Sequence, residues 1–246
     1  MKKIIRVGAS SGIGKQVALN YLADGWRVGV AARREEPLKD LKLQFPDKVE
    51  YEVIDINADD AHQSLYKLIE KLGGMDVYFH CSGVGHQNIK IDIQVEVDTV
   101  RTNAMGFTRM VDAAYNYFKD NNKKGQIAVV SSIAGTKGLG VSPSYSATKR
   151  YNYIYIDCME QLARMQKVDV SFTDIRPGFV TTALLDDGQK YPMQMTVEYA
   201  SRKIVQAVNK RKRIAIIDWK YSILVSFWKL IPHWIWVRLP IRTKKN

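Results

Sequence analysis

The chain has 246 residues, 46% of them hydrophobic, which is length enough for one domain with a full core. Its two cysteines, Cys81 and Cys158, exclude a disulfide framework and a cysteine-ligated metal, so reducing, cytoplasmic surroundings and no metal are expected. The net charge of +12 is confined to one end: residues 1–201 carry 25 Lys/Arg against 24 Asp/Glu, while 202–246 carry 12 against Asp218 alone, so no nucleic-acid partner is expected of the domain.

The first residues lack the apolar run of a signal peptide, and no stretch reaches the roughly 18 uncharged apolar residues of a spanning helix. The first predicted strand, 3–8, runs into Gly8-Ala9-Ser10-Ser11-Gly12-Ile13-Gly14, and a helix is predicted over 13–23. Glycines let a chain turn tightly and let a pyrophosphate approach the amides of a helix N-terminus. Ser10 and Ser11 add hydroxyl donors. A second strand, 27–32, ends at Ala32-Arg33-Arg34. An acid in that region bonds the ribose of NAD, whereas arginine suits the extra phosphate of NADP. Arg33 without the acid points to NADP(H), the alternative being that both arginines are solvated loop charges.

A helix over 37–45 and a strand over 49–56 follow, the strand ending at Asp55-Ile56. A helix over 58–72 leads to a strand over 76–81 and then Ser82-Gly83. The pattern from 95 to 119 reads as one long helix carrying Asn103. The fifth strand, 126–131, ends beside Ser132, and Tyr145 and Lys149 lie on one face of a helix predicted over 145–165. An ammonium near a phenol favours the phenolate, so Lys149 is expected to lower the Tyr145 pKa and make it a proton carrier. The sixth strand, 169–175, precedes Arg176-Pro177-Gly178, and a helix over 197–209 and a strand over 213–218 complete the alternation. Such alternation implies a parallel sheet covered by helices on both faces.

From Lys3 to about Asp218 the chain resembles the compact branch of the short-chain dehydrogenase/reductase family. The likeness is carried by the glycine turn, Thr102-Asn103-Ala104, Ser132, Tyr145-Ser146-Ala147-Thr148-Lys149 and Pro177-Gly178. It implies a Rossmann-type sheet of strand order 3-2-1-4-5-6-7, hydride transfer between a nicotinamide and a carbonyl or secondary alcohol, and a tetrad of Asn103, Ser132, Tyr145 and Lys149, with the asparagine holding a water in a proton relay. It further implies cofactor contacts from Gly8, Ser10, Ser11, Gly12, Ile13, Gly14, Arg33, Asp55, Ile56, Ser82, Gly83, Tyr145, Lys149, Pro177, Gly178, Val180 and Thr182, and a homo-oligomer built on the helices holding Asn103 and Tyr145. Two places depart from the family pattern: Val7 stands for its threonine, and His80-Cys81-Ser82-Gly83 for Asn-Asn-Ala-Gly. They suggest a repacked brace between strand ends, with His80 a structural hydrogen-bonder and Cys81 an apolar filler.

Leu184, Leu185, Tyr191, Met193 and Met195, with Val141 and Pro143, suggest a lid and wall for an apolar substrate. Asp59-Asp60 reads as a helix cap and Asp186-Asp187 as a loop. Residues 1–218 form the expected catalytic domain, and 219–246 an extension split into two short helices by Pro232. Its tryptophans and basic residues suit a membrane interface, the protein's own cleft or a second subunit. A low-turnover cofactor-binding sensor, or a membrane- or nucleic-acid-docking protein, are the alternatives to an enzyme.

Overall fold

The structure is a computed structural model that describes residues 1–182 and 191–241. Seven parallel strands form one sheet in the order β3-β2-β1-β4-β5-β6-β7, as the resemblance implies. They are β1 Lys3–Val7, β2 Arg27–Ala32, β3 Val49–Val53, β4 Val77–His80, β5 Gly125–Val130, β6 Val170–Pro177 and β7 Ile214–Ile217. β1, β4 and β5 are almost wholly buried because helices cover both faces, so alternate residues serve opposite cores. Ile4 faces α1 (Gly12–Ala23), α2 (Glu36–Gln44) and α7 (Val197–Asn209). Ile5 and Val7 face α3 (Ala61–Leu72), α5 (Phe107–Asp120) and α6 (Pro143–Met165).

The helix expected over 95–119 is interrupted. α4 (Ile93–Val100) passes into a π-helical turn, Arg101–Gly106, before α5 begins. Such turns insert one residue into a helix and are common at functional sites. A side chain at Gly106 would meet Ile56 Cγ1 at 2.8 Å, so the chain crosses here against the loop after β3. The expected cap before α3 is absent: Asp60 makes no capping bond, and the Asp59 carboxylate accepts from Arg109 Nη2 at 2.9 Å instead.

Beyond β7 the chain forms α8 (Trp219–Leu230) and α9 (His233–Trp236), separated at Pro232 as expected. Tyr221 and Val225 of α8 belong to the same core cluster as α1 and α7. Leu184, Leu185, Asp186 and Asp187 lie outside the described residues. Among the described residues no helix is long and apolar enough to cross a membrane.

Candidate active site

The first turn is built from backbone packed on backbone. Gly8 has φ of 91° and its N–H bonds Ala31 O at 2.8 Å. A Cβ on Gly14 would stand 1.7 Å from Gly8 O, and one on Gly8 would stand 2.6 Å from Ser82 N. Only glycine allows these approaches. Ser11 precedes α1 without a capping side-chain bond. The first-turn amides of α1, led by Gly12, Ile13 and Gly14, are therefore offered outward, as a pyrophosphate requires. Ser10 and Ser11 lie at the same mouth, where Arg34 Nη2 donates to both hydroxyls at 3.2 Å. Arg34 thus reaches the glycine turn, and Arg33 and Arg34 are both exposed.

The remaining expected contacts border the same edge of the sheet. Asp55 is exposed and accepts from Asn57 N at 3.0 Å, while Ile56 is buried. Gly178 N bonds Ile217 O at 3.0 Å, and Val180 pairs with Met195. Thr182 closes towards the glycine turn, its Cγ2 3.2 Å from where a Gly12 side chain would begin. Of the expected apolar wall, Met195 and Val141 are buried, Met195 in the main core, and Met193 is exposed. Tyr191 stacks on Phe179, ring centroids 4.6 Å apart, and Gln87 Nε2 donates to its hydroxyl at 3.0 Å.

Ser132, Tyr145 and Lys149 come together above β5. The Ser132 hydroxyl accepts from Ala134 N at 3.1 Å, capping a short turn, and its side chain acts on the Tyr145 phenol to lower its pKa. Lys149 Nζ donates to Val130 O at 2.9 Å and stands 5.7 Å from the centre of the Tyr145 ring. Burial brings its ammonium down to about 8, against Cys81 and Asp174, which raise it. The expected lowering of Tyr145 by Lys149 is not found. Burial raises the phenol above its ordinary value, the Ser132 side chain lowers it only in part, and Cys81 raises it further. Desolvation of the phenolate outweighs a cation lying beside the ring.

Asn103, on the π-helical turn, is buried and grips a loop. Its Oδ1 accepts from Val84 N at 2.8 Å, and its Nδ2 donates to Val84 O at 2.7 Å and to Thr148 Oγ1 at 3.2 Å. Asn152 Nδ2 in turn donates to Asn103 O at 2.8 Å. The clamp holds the Ser82–Gly83 segment, so that a Gly83 Cβ would meet Asn103 Oδ1 at 3.1 Å and Lys149 Nζ at 3.3 Å. Two residues on, Gly85 packs close to the Tyr145 ring; a Cβ there would stand 2.6 Å from Cδ2.

The departures at Val7 and His80 face each other across the β1–β4 register. His80 is buried, bonds the Tyr78 hydroxyl through Nδ1 at 2.8 Å and meets the Phe107 ring edge-on. Burial, then Lys149, lowers it to about 3, so it is neutral and braces the sheet through an aromatic contact. Cys81 is half-buried and its thiol is raised, chiefly by burial. Deeper, the Ser131 hydroxyl bonds the buried Asp174, whose carboxylate pairs with Arg176 Nε at 2.7 Å. Among the described residues no group of His, Cys, Asp and Glu could hold a metal.

Three site residues escaped the motifs. Arg34 was visible as the neighbour of Arg33. Gly85 had only its place after Gly83 as a signal. Tyr221 had none. It comes from the extension, with its ring under Gly178, where a Cβ would stand 2.1 Å from Cζ. Its hydroxyl accepts from Phe179 N and donates towards Pro192 O and Met193 O, all at 3.0 Å.

The sequence pattern of the short chain dehydrogenase family matches residues 2–191. Dehydrogenase/reductase SDR family member 7B of Xenopus laevis is 25% identical over 240 residues, covering 87% of this chain and 73% of its own. An uncharacterized oxidoreductase of Mycobacterium tuberculosis is 23% identical over 242 residues, covering 94% of each chain. Dehydrogenase/reductase SDR family protein 7-like of Dictyostelium discoideum is 27% identical over 199 residues, 76% of this chain and 61% of its own.

Proposed function

The chain belongs to the short-chain dehydrogenase family and is an NAD(P)-dependent oxidoreductase, and from that premise we propose that it reduces the carbonyl of an apolar substrate with NADPH. The observation that carries this reading is the gathering of Ser132, Tyr145 and Lys149 at the end of β5, with Lys149 Nζ bonded to Val130 O and 5.7 Å from the centre of the Tyr145 ring. The glycine turn supports a dinucleotide, because Gly8 and Gly14 let the backbone close tightly before α1, whose first-turn amides have no capping side chain. Ser10, Ser11, Gly12, Ile13 and Gly14 would hold the pyrophosphate, Asp55 and Ile56 the adenine, Ser82, Gly83, Tyr145 and Lys149 the nicotinamide ribose, and Pro177, Gly178, Val180 and Thr182 the nicotinamide. When bound, the nicotinamide supplies the hydride. Arg33, exposed, and Arg34, across Ser10 and Ser11, favour the additional phosphate of NADP.

Ser132 orients the substrate oxygen by its hydroxyl. Tyr145, held as a neutral phenol by burial, gives that oxygen its proton. A raised phenol suits this direction, because the donor is loaded at neutral pH. Lys149, its ammonium brought down to about 8 by burial and lying beside the Tyr145 ring, is the group placed to restore that proton. Asn103 positions the Val84 backbone and, through it, the loop against Lys149 and Tyr145.

Residues 1–218 form the catalytic domain and 219–246 its extension. The chain acts as a homo-oligomer; exposed Val97, Val100 and Met105 around α4, with Tyr151 and Ile154 on α6, support a contact through those helices. The test is NADPH oxidation against a panel of acyl, steroid, sugar and quinone carbonyls. Tyr145→Phe should cut turnover by about 10²–10⁴-fold and keep NADPH binding. A Phe variant near the wild-type rate would show another acid at work.

A further inference from the structure

α8 and α9 have two apolar faces. The inner face is filled: Tyr221 and Val225 are buried in the core, and Trp236 Nε1 donates to Gly138 O at 2.7 Å while its ring meets Trp228 edge-on. The outer face is open. Trp219, Ile223, Phe227 and Leu230 recur every three or four residues, so they share one arc of α8. Phe227 is 68% exposed, and Trp234 and Val237 continue the stripe at 64% and 60%. A helix on a soluble surface normally turns charged residues away from the core. Here that side is aromatic and aliphatic.

The charges flank the stripe. Lys220 Nζ lies 6.0 Å from the Trp219 ring centre, and the Arg238 guanidinium 5.9 Å from that of Trp234. From 219 onward the basic residues are Lys220, Lys229, Arg238, Arg242, Lys244 and Lys245, and the segment contains no Asp or Glu. We propose that this outer face is a docking surface for a lipid bilayer bearing anionic headgroups, with α8 lying in the plane of the interface. Indole rings settle where one edge is apolar and the other wet, and flanking Lys and Arg reach headgroups while their stems cover the apolar boundary. A second copy of the chain is disfavoured as the occupant. A two-fold contact through this stripe would bring like charges together, with no carboxylate from the segment to pair them. Anionic lipid supplies the missing counter-charge.

The experiment is cosedimentation of the full chain with phosphatidylcholine vesicles, and with vesicles that also contain phosphatidylserine, at low and physiological salt. The expected result is binding to the serine lipid that weakens as salt rises. Phe227→Ser with Trp234→Ser should lower partitioning about tenfold on both lipids, and Lys220→Glu with Lys229→Glu about tenfold on anionic vesicles alone. Thermal unfolding should be unchanged in each, because all four side chains are exposed. Three results would overturn the proposal. They are no binding to anionic vesicles at low salt, binding that neither pair alters, and a lipid-free dimer that the Phe227→Ser, Trp234→Ser pair dissociates.

Discussion

The two flanks of the site are built by opposite means. On the β1–α1 side, Gly14 makes room for the backbone of Gly8, within a span of seven residues, and Gly8 for the backbone of Ser82. On the β6 side, Gly178 makes room for the ring of Tyr221, which arrives from beyond the last strand. The tightest contact of the first flank, Gly14 on Gly8, lies within a local motif. The second exists only once the whole chain has folded. Backbone cannot be trimmed to relieve a clash, whereas a side chain can, so a side chain added at Gly178 can be rescued by a second substitution and one added at Gly14 cannot.

The largest expected effect is at Gly14. Gly14→Ala places a methyl 1.7 Å from Gly8 O, so the turn must open. A loss of more than about 3 kcal/mol in urea unfolding, together with loss of NADPH binding, is expected. Gly178→Ala should cost a similar amount alone. In combination with Tyr221→Leu it should recover part of that loss, because the ring it strikes is gone. A strictly additive double variant would break the contrast between the flanks.

Next is Lys149, between the flanks. Its folded pKa of about 8 lies below the ordinary 10.5 of the unfolded chain. Between those values the unfolded chain holds a proton that the folded one has released, so stability rises with pH across that window. Below pH 8 both states are charged and the full burial cost, about 3 kcal/mol, opposes folding. Lys149→Met should be more stable than wild type at neutral pH, lose its turnover and flatten that rise. Parallel stability curves for the two proteins would refute the assignment.

A smaller effect distinguishes the arginines. Arg33→Ala and Arg34→Ala should each weaken NADPH by about 1.5–3 kcal/mol in calorimetry and leave NADH nearly unchanged. Arg34→Ala also frees the Ser10 and Ser11 hydroxyls, so any NADH change belongs to that variant alone. Equal losses for both cofactors would remove the case for NADP. Smallest is Tyr221→Phe, which keeps the ring under Gly178 but strands Phe179 N. A loss of about 1–2 kcal/mol in stability and a raised KM are expected. An unchanged KM would show that the β6 flank needs only the ring.

This contrast also explains what the sequence made legible. All seven strands were readable because parallel strands buried on both faces are short apolar runs bounded by turns. Ser132, Tyr145 and Lys149 were readable because their spacing fits one strand end and one helix face. The bonds of Arg34 to Ser10 and Ser11 are not legible in a motif, since which of two adjacent arginines meets the glycine turn depends on the loop. The upward shift of the Tyr145 phenol is not legible in the sequence, because burial leaves no mark in a motif. Tyr221 was hidden among the other aromatics of the extension, whose density announced apolar contact but not that one face turns inward and the other out.

The π-helical turn at Arg101–Gly106 sets the rotational phase of a long rod. One inserted residue turns everything before it by about 100° relative to everything after it. α4 can thus aim Ile93, Val97 and Val100 at solvent while α5 aims Phe107, Met110, Val111 and Phe118 at the core. Deleting a single residue there would not shorten the rod noticeably, but it would swing one half out of step with the other. Asn103 sits at the joint, so the grip on the loop beside Tyr145 and the outward heading of α4 are tuned by the same few bonds and cannot drift apart independently.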